Sequence, residues 1–197
     1  MPRATRPGGR TARTKAAVFE AAAALVAERG HDAVAMTDIA QRAGVAATSL
    51  YRRWGDVRTL LLEVAVEQLM TDSPLPDTGS LRSDLRAWAR RIAAGLRSPG
   101  GSPFFRTMLA TLPAPGQDSM GQDAMGQGAM ERVAAFGPRL QQIATMLDRA
   151  AARGEAAPPL MDVIDHLLAP LYMRTLFGAP ISAAFAHDLA DRLCGAP

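Results

Sequence analysis

Apolar residues recur at spacings of three and four along most of the chain, a pattern that predicts about nine helices. The first covers about 11–29 and stops at Gly30. Next, Ile39, Ala40 and Ala43 share one helix face over about 37–43. Gly44 ends that helix, because glycine takes a left-handed backbone without steric cost. Val45 points into the angle before a third helix, about 46–53, whose Leu50 and Trp54 fall four apart on one face. Asp56 is a good N-cap for a fourth, which carries Leu60, Leu61, Val64, Leu69 and Met70 as far as Asp72. Residues 73–79 read as a linker. A fifth helix opens near Ser80 with Leu81, Leu85, Trp88 and Ile92, and Ser98-Pro99-Gly100-Gly101-Ser102-Pro103 breaks it. A short sixth holds Phe104, Phe105, Met108 and Leu109. A seventh, about 130–153, shows Val133, Phe136, Leu140, Ile143 and Leu147. The eighth begins after Pro158-Pro159 and ends at Gly178, with Pro170 expected to kink it. The ninth begins near Ser182 with Phe185, Leu189 and Leu193.

One segment breaks the pattern. Gly116-Gln117-Asp118-Ser119-Met120 recurs as Gly121-Gln122-Asp123-Ala124-Met125 and Gly126-Gln127-Gly128-Ala129-Met130. A period of five scatters its methionines around a helix of about 3.6 residues per turn, and a glycine in each repeat weakens helix formation. Residues 113–130 are therefore expected to be a mobile loop and a tolerated insertion, in preference to a Met-rich binding surface.

Once Leu50 and Trp54 are assigned to the core, Ala47, Thr48, Tyr51, Arg52 and Arg53 are left facing outward on the third helix. Two short helices around a glycine turn, the second with such a face, are how a helix-turn-helix offers a recognition helix to the major groove. Ala47 and Thr48 are small enough to let the helix enter; their methyls suit a thymine methyl, and the Thr48 hydroxyl suits several base edges. Tyr51 and Arg53 have the reach for phosphate oxygens, and Arg52 for a phosphate or a guanine edge.

Residues 12–62 resemble the N-terminal domain of TetR-type bacterial regulators. The matching pieces are Val18…Ala21-Ala22…Leu25-Val26…Glu28-Arg29-Gly30, then Asp38-Ile39-Ala40…Ala43-Gly44-Val45, then Leu50-Tyr51-Arg52-Arg53-Trp54, and Asp56 with Leu60-Leu61. Residues 160–193 are similar to the closing helices of such proteins. The chain departs from the pattern where the family has polar groups: Ala35 and Ala46 stand at caps, and Val57, followed by Arg58, where a phosphate-binding Lys is common. Thr37 is expected to take part of the missing cap. The resemblance implies an all-α fold with a disordered basic tail over 1–10, a helix-turn-helix domain over 11–56, and a regulatory and dimerisation domain over 57–197. It implies a regulator, expected to be a repressor, that binds a palindromic double-stranded operator as a homodimer and leaves it when a small-molecule effector binds. The competing expectation is a ligand-independent or architectural DNA-binding protein.

Charge agrees with a DNA partner. Residues 1–58 hold ten Lys/Arg against five Asp/Glu, a net +5, while the remainder holds twelve against fourteen, a net −2. Arg3, Arg6, Arg10, Arg13 and Lys15 form either a phosphate-binding arm or a solvated tail; Arg13, close to the folded domain, is assigned to phosphate. No apolar run suits a membrane span or a signal peptide, and the single cysteine, Cys194, suits a reducing compartment, so a cytoplasmic protein is expected.

The regulatory part offers two sets of residues. Leu160, Val163, Ile164, Leu167, Leu171, Phe185, Leu189 and Leu193 are the expected dimer contacts, against a plain intramolecular core. Trp88, Phe104, Phe105, Met108, Phe136, Met146, Tyr172 and Met173 are candidates to line an effector pocket, with His166 as a polar contact; for each the competing assignment is ordinary core or a structural histidine. No phosphate loop, nucleophile elbow or His/Cys cluster is present, so no enzyme, cofactor or metal is expected. Asp162 and Asp165 read as a solvated helix face.

Overall fold

The structure, a computed structural model, describes residues 9–98, 102–111 and 134–195. The tail over 1–8, Val133 and the Gly-Gln-Met repeat lie outside the described residues. Among those described, nine helices and no strand are found: α1 (Gly9–Arg29), α2 (Met36–Ala43), α3 (Ala47–Trp54), α4 (Val57–Asp72), α5 (Leu81–Arg97), α6 (Pro103–Ala110), α7 (Gly137–Ala152), α8 (160–176) and α9 (Ala183–Leu193). They fall into two compact units. The first holds α1–α3, α4 up to Ala65 and the end of α6 from Thr107; the second holds the rest.

In the first unit Val18, Ala22 and Leu25 of α1, Ile39 of α2, Leu50 and Trp54 of α3, and Leu60, Leu61 and Val64 of α4 close one core. Gly44 sits at φ 67° and ψ 34°, the left-handed region that stops α2, and Val45 N–H donates back to the Ala40 carbonyl at 3.0 Å. Ala35 has no side-chain acceptor to cap the first turn of α2, but Asp38 supplies the reciprocal contact, its carboxylate accepting from Ala35 N–H at 3.3 Å. Thr37 does not supply this contact. Asp56 caps α4 as expected, accepting from Thr59 N–H at 2.7 Å. Ion pairs fasten the helices: Arg42 grips Glu28 through two bonds of 2.7 and 2.8 Å, and Lys15 meets Glu63 at 2.9 Å. His31 Nε2 lies 2.6 Å from Thr107 Oγ1, which joins the end of α6 to the turn after α1.

In the second unit α9 packs along α5, where Ala89, Ala93, Ala186 and Ala190 are all fully buried and small enough for close approach. Arg82 and Arg86 of α5 both hold Asp191 of α9. The kink expected at Pro170 takes the form of a π turn, Ile164–Leu168, placed just before the proline. Proline has no N–H to donate and its ring collides with the carbonyl four residues back; the wider turn relieves both. No described helix is long and apolar enough to cross a membrane.

Candidate nucleic-acid interface and regulatory cluster

α3 is held by its apolar side. Leu50 is 2 % exposed and Trp54 5 %, and the Trp54 ring packs 6.3 Å from Phe19 while its Nε1–H donates to Glu63 at 2.5 Å. Anchored this way, the helix leaves Thr48, Ser49, Tyr51, Arg52 and Arg53 exposed at the surface. The Arg53 guanidinium lies over the Trp54 ring at 4.8 Å, which restricts its swing without covering its N–H groups. Neither Arg52 nor Arg53 has an ion-pair partner among the described residues. Three acids of this unit are matched elsewhere: Glu28 to Arg42, Asp38 to Arg29, Glu63 to Lys15. Arg42 holds the Glu28 carboxyl below the ordinary carboxylate range by its hydrogen bond. The outer face of α3 is thus left with uncompensated positive charge.

The other expected DNA contacts differ in placement. Thr37 and Arg58 are exposed. Arg13 is exposed and its Nε donates to the Gly9 carbonyl of its own helix at 3.0 Å. Ala47 is a correction: it is partly buried against the core, because it lies in the first turn of α3, three residues before Leu50 on the same face.

The expected pocket residues separate. Four of them gather in the second unit: Tyr172 stacks on Phe105 at 5.2 Å and meets Phe104 at 6.2 Å, and Phe104 meets Phe136 edge-on at 6.1 Å; Trp88, 1 % exposed, lies in the same unit. Met146 is fully buried in that unit. Met108 belongs to the first unit. Met173 is a correction, because it is exposed; His166 is exposed too and stands apart from the aromatic residues. The apolar faces of α8 point Val163, Leu167 and Leu171 inward, so Met173 is left outside. His166 lies in an open surface groove of about 380 Å³ with Asp162, Asp165 and Arg192, its Nδ1 3.1 Å from the Asp162 carbonyl.

Four of the expected dimer contacts are corrected as well. Val163, Leu167 and Leu171 are fully buried and Leu189 is 6 % exposed, so they pack inside their own chain. Leu160, Ile164, Phe185 and Leu193 keep partial exposure. The large apolar side chains left in water are Met161, Met173, Leu176 and Phe177, the last 76 % exposed. Periodicity marks which residues are apolar, but on a helix with several apolar faces it does not say which face turns inward.

One residue escapes sequence reasoning. Arg139 of α7 is only 5 % exposed and lies over the Trp88 ring at 5.3 Å. Its Nη1 donates to the Ser73 carbonyl at 3.0 Å and to Gln142 Oε1 at 2.7 Å. A signal for it exists: Arg139, Ile143, Met146 and Ala150 fall at i, i+4, i+7 and i+11, so the arginine shares a stripe with core residues.

Comparison with known proteins agrees with this geometry. Residues 18–64 match the family described as bacterial regulatory proteins, tetR family, and residues 75–193 match the tetracyclin repressor-like C-terminal domain. The HTH-type transcriptional regulator AqdR of Rhodococcus erythropolis is 35 % identical over 109 residues, which are 55 % of this chain and 53 % of that one. The chain therefore matches only about half of the length of AqdR. The HTH-type regulator YdeS of Bacillus subtilis is 28 % identical over 89 % of this chain and 85 % of its own. The crystal structure of the regulator SCO0332 shares the fold, with a TM-score of 0.71 at 24 % identity, covering 92 % of this chain and 97 % of that one. These relatives are described as transcriptional regulators. With both of its domains matched and a helix-turn-helix in place, the chain belongs to the TetR family of DNA-binding transcriptional regulators.

Proposed function

We propose that this regulator is a repressor that binds a palindromic operator as a homodimer in the cytoplasm and is released by a small-molecule effector. The observation that carries the reading is the outer face of α3, where Thr48, Tyr51, Arg52 and Arg53 reach the surface on a helix pinned by Leu50 and Trp54. Thr48 and Tyr51 are placed for bases and nearby phosphates, and Arg52 and Arg53 for phosphates, with Thr37, Arg13 and Arg58 as flanking contacts. One short helix reads only a few base pairs, and a two-fold partner doubles both the site and the charge. Met161, Met173, Leu176 and Phe177, exposed on or beside α8, support a partner on that surface. Ile164, Leu160, Phe185 and Leu193 extend it.

An effector shifts operator affinity only by preferring one arrangement of the protein over another. α4 belongs to both units, so an effector that moves it would spoil a recognition-helix spacing near one DNA turn, about 34 Å. The test is selection of bound sequences from a random DNA pool. The reading expects an inverted repeat with half-site centres about one turn or a multiple apart. A pool that shows no enrichment, or only single unrepeated sites, would contradict it.

A further inference from the structure

The buried guanidinium of Arg139 has no acid to match it among the described residues. Its two hydrogen bonds go to neutral acceptors, the Ser73 carbonyl and Gln142 Oε1, and both leave from Nη1. Nε and Nη2 donate to no described residue, and no described carboxylate lies within ion-pair distance of it. The other charged side chain acting on it is Arg91, a second cation. Burial pulls Arg139 down to about 10, which still leaves it charged at neutral pH. An enclosed charge without a counterion is costly unless something else supplies the opposite charge. The unit does supply counterions elsewhere: Asp191 has Arg82 and Arg86, and Glu155 has Arg153.

The groups around Arg139 are also donors without acceptors. Trp88 Nε1 and Ser73 Oγ are buried and have no hydrogen-bond partner among the described residues. Trp88 is the ring beneath the guanidinium, and Ser73 is the residue whose carbonyl holds it. Tyr172, close enough to act electrostatically on Arg139, is pushed up to about 12 by burial and so stays a neutral O–H donor. One cation and three neutral donors stand at one end of an aromatic wall that continues from Tyr172 through Phe105 and Phe104 to Phe136.

We propose that Arg139 is the anion-binding end of the effector site, and that the effector is an apolar or aromatic monocarboxylic acid. This rests on the ligand-released reading above. One buried cation balances one negative charge, and the aromatic wall suits a body with little polarity. The guanidinium would take the carboxylate through its unused Nε–H and Nη2–H, in the forked geometry that matches two oxygens. Trp88 Nε1–H and the Ser73 hydroxyl would add neutral donors, and the rings would take the hydrocarbon.

Calorimetric titration of the full-length protein tests this with benzoate, naphthoate, phenylacetate and decanoate, each against its neutral amide. At least one acid should bind about tenfold or more tighter than its amide. Arg139→Gln should erase that preference, weakening the acid about tenfold or more while moving the amide by less than about threefold. Arg139→Lys, which keeps the charge, should retain a reduced preference. An acid preference absent across the whole set, or one that survives Arg139→Gln, would overturn the proposal. If Arg139→Gln does not fold, Trp88→Phe keeps a ring and removes one donor; it should weaken the acid by about threefold or more, and unchanged affinity would count against the site. Operator release, measured in parallel, is a separate readout. An acid that binds through Arg139 and leaves DNA affinity unmoved sustains the site and sinks ligand release. An amide that releases DNA while no acid is preferred does the reverse.

Discussion

The two units each hold an arginine over a tryptophan, and the two pairs do opposite work. Arg53 lies 4.8 Å from the Trp54 ring and Arg139 lies 5.3 Å from the Trp88 ring. The contact is the same, but Arg53 is exposed and Arg139 is 5 % exposed. At the surface the ring serves as a rest that aims a charge outward, and water keeps the unpaired charge cheap. In the interior the same pairing leaves a charge with no carboxylate partner among the described residues, which is what the proposed anion would match. Burial decides whether an unpaired arginine reads as a DNA contact or as half of a ligand site.

The largest effects should come from the rings. Trp54→Ala removes the packing on Phe19 and the bond to Glu63 and should cost about 3–5 kcal/mol in urea denaturation. Tolerance of that change would break the comparison, because α3 would then need no anchor. Next come the two classes of apolar residue on and beside α8. Leu171→Ala should cost about 2–5 kcal/mol, since the side chain is fully buried. Phe177→Ser, at 76 % exposure, should leave circular dichroism unchanged and shift sedimentation toward a lighter species. Equal sedimentation would move the partner surface away from α8. Asp56→Ala removes the cap on α4 and should cost about 1 kcal/mol.

The smallest effect is a pH dependence. Arg86 first, then Arg82, hold the Asp191 carboxyl below the ordinary carboxylate range. A carboxyl whose folded pKa is depressed contributes stability that is complete above its unfolded pKa and is lost as pH falls toward the folded one. Melting temperature should therefore drop on acidification through and below the ordinary carboxylate range. Asp191→Asn should flatten part of that drop and leave the neutral-pH slope alone. An unaltered acid limb would show that the α5–α9 pairs contribute nothing.

The DNA-binding unit is legible in the sequence because its features are local. Ile39, Gly44, Leu50, Trp54 and Asp56 lie within eighteen consecutive residues, and a short helix with only two apolar anchors has only one way to face. Arg53 and Trp54 are neighbours in sequence. Ala47 is misplaced by pattern alone because a small apolar residue fits either side. The regulatory unit is legible as helical periodicity and not as a site. Arg139 and Trp88 are joined only by packing between distant helices, and α8 carries apolar residues on too many faces for spacing to choose among them. For that reason spacing misplaces Met173, and it turns Leu167 and Leu171 outward when they point in.

The most direct test of the account is the salt dependence of operator binding for the wild type and Arg53→Ala, by fluorescence anisotropy. The wild type should lose affinity linearly on a double-logarithmic salt plot. Arg53→Ala should bind every sequence more weakly, with a slope shallower by about 0.9 for each phosphate that the variant leaves unneutralised. Identical slopes and affinities for the two proteins would contradict the placement of the DNA interface on the outer face of α3.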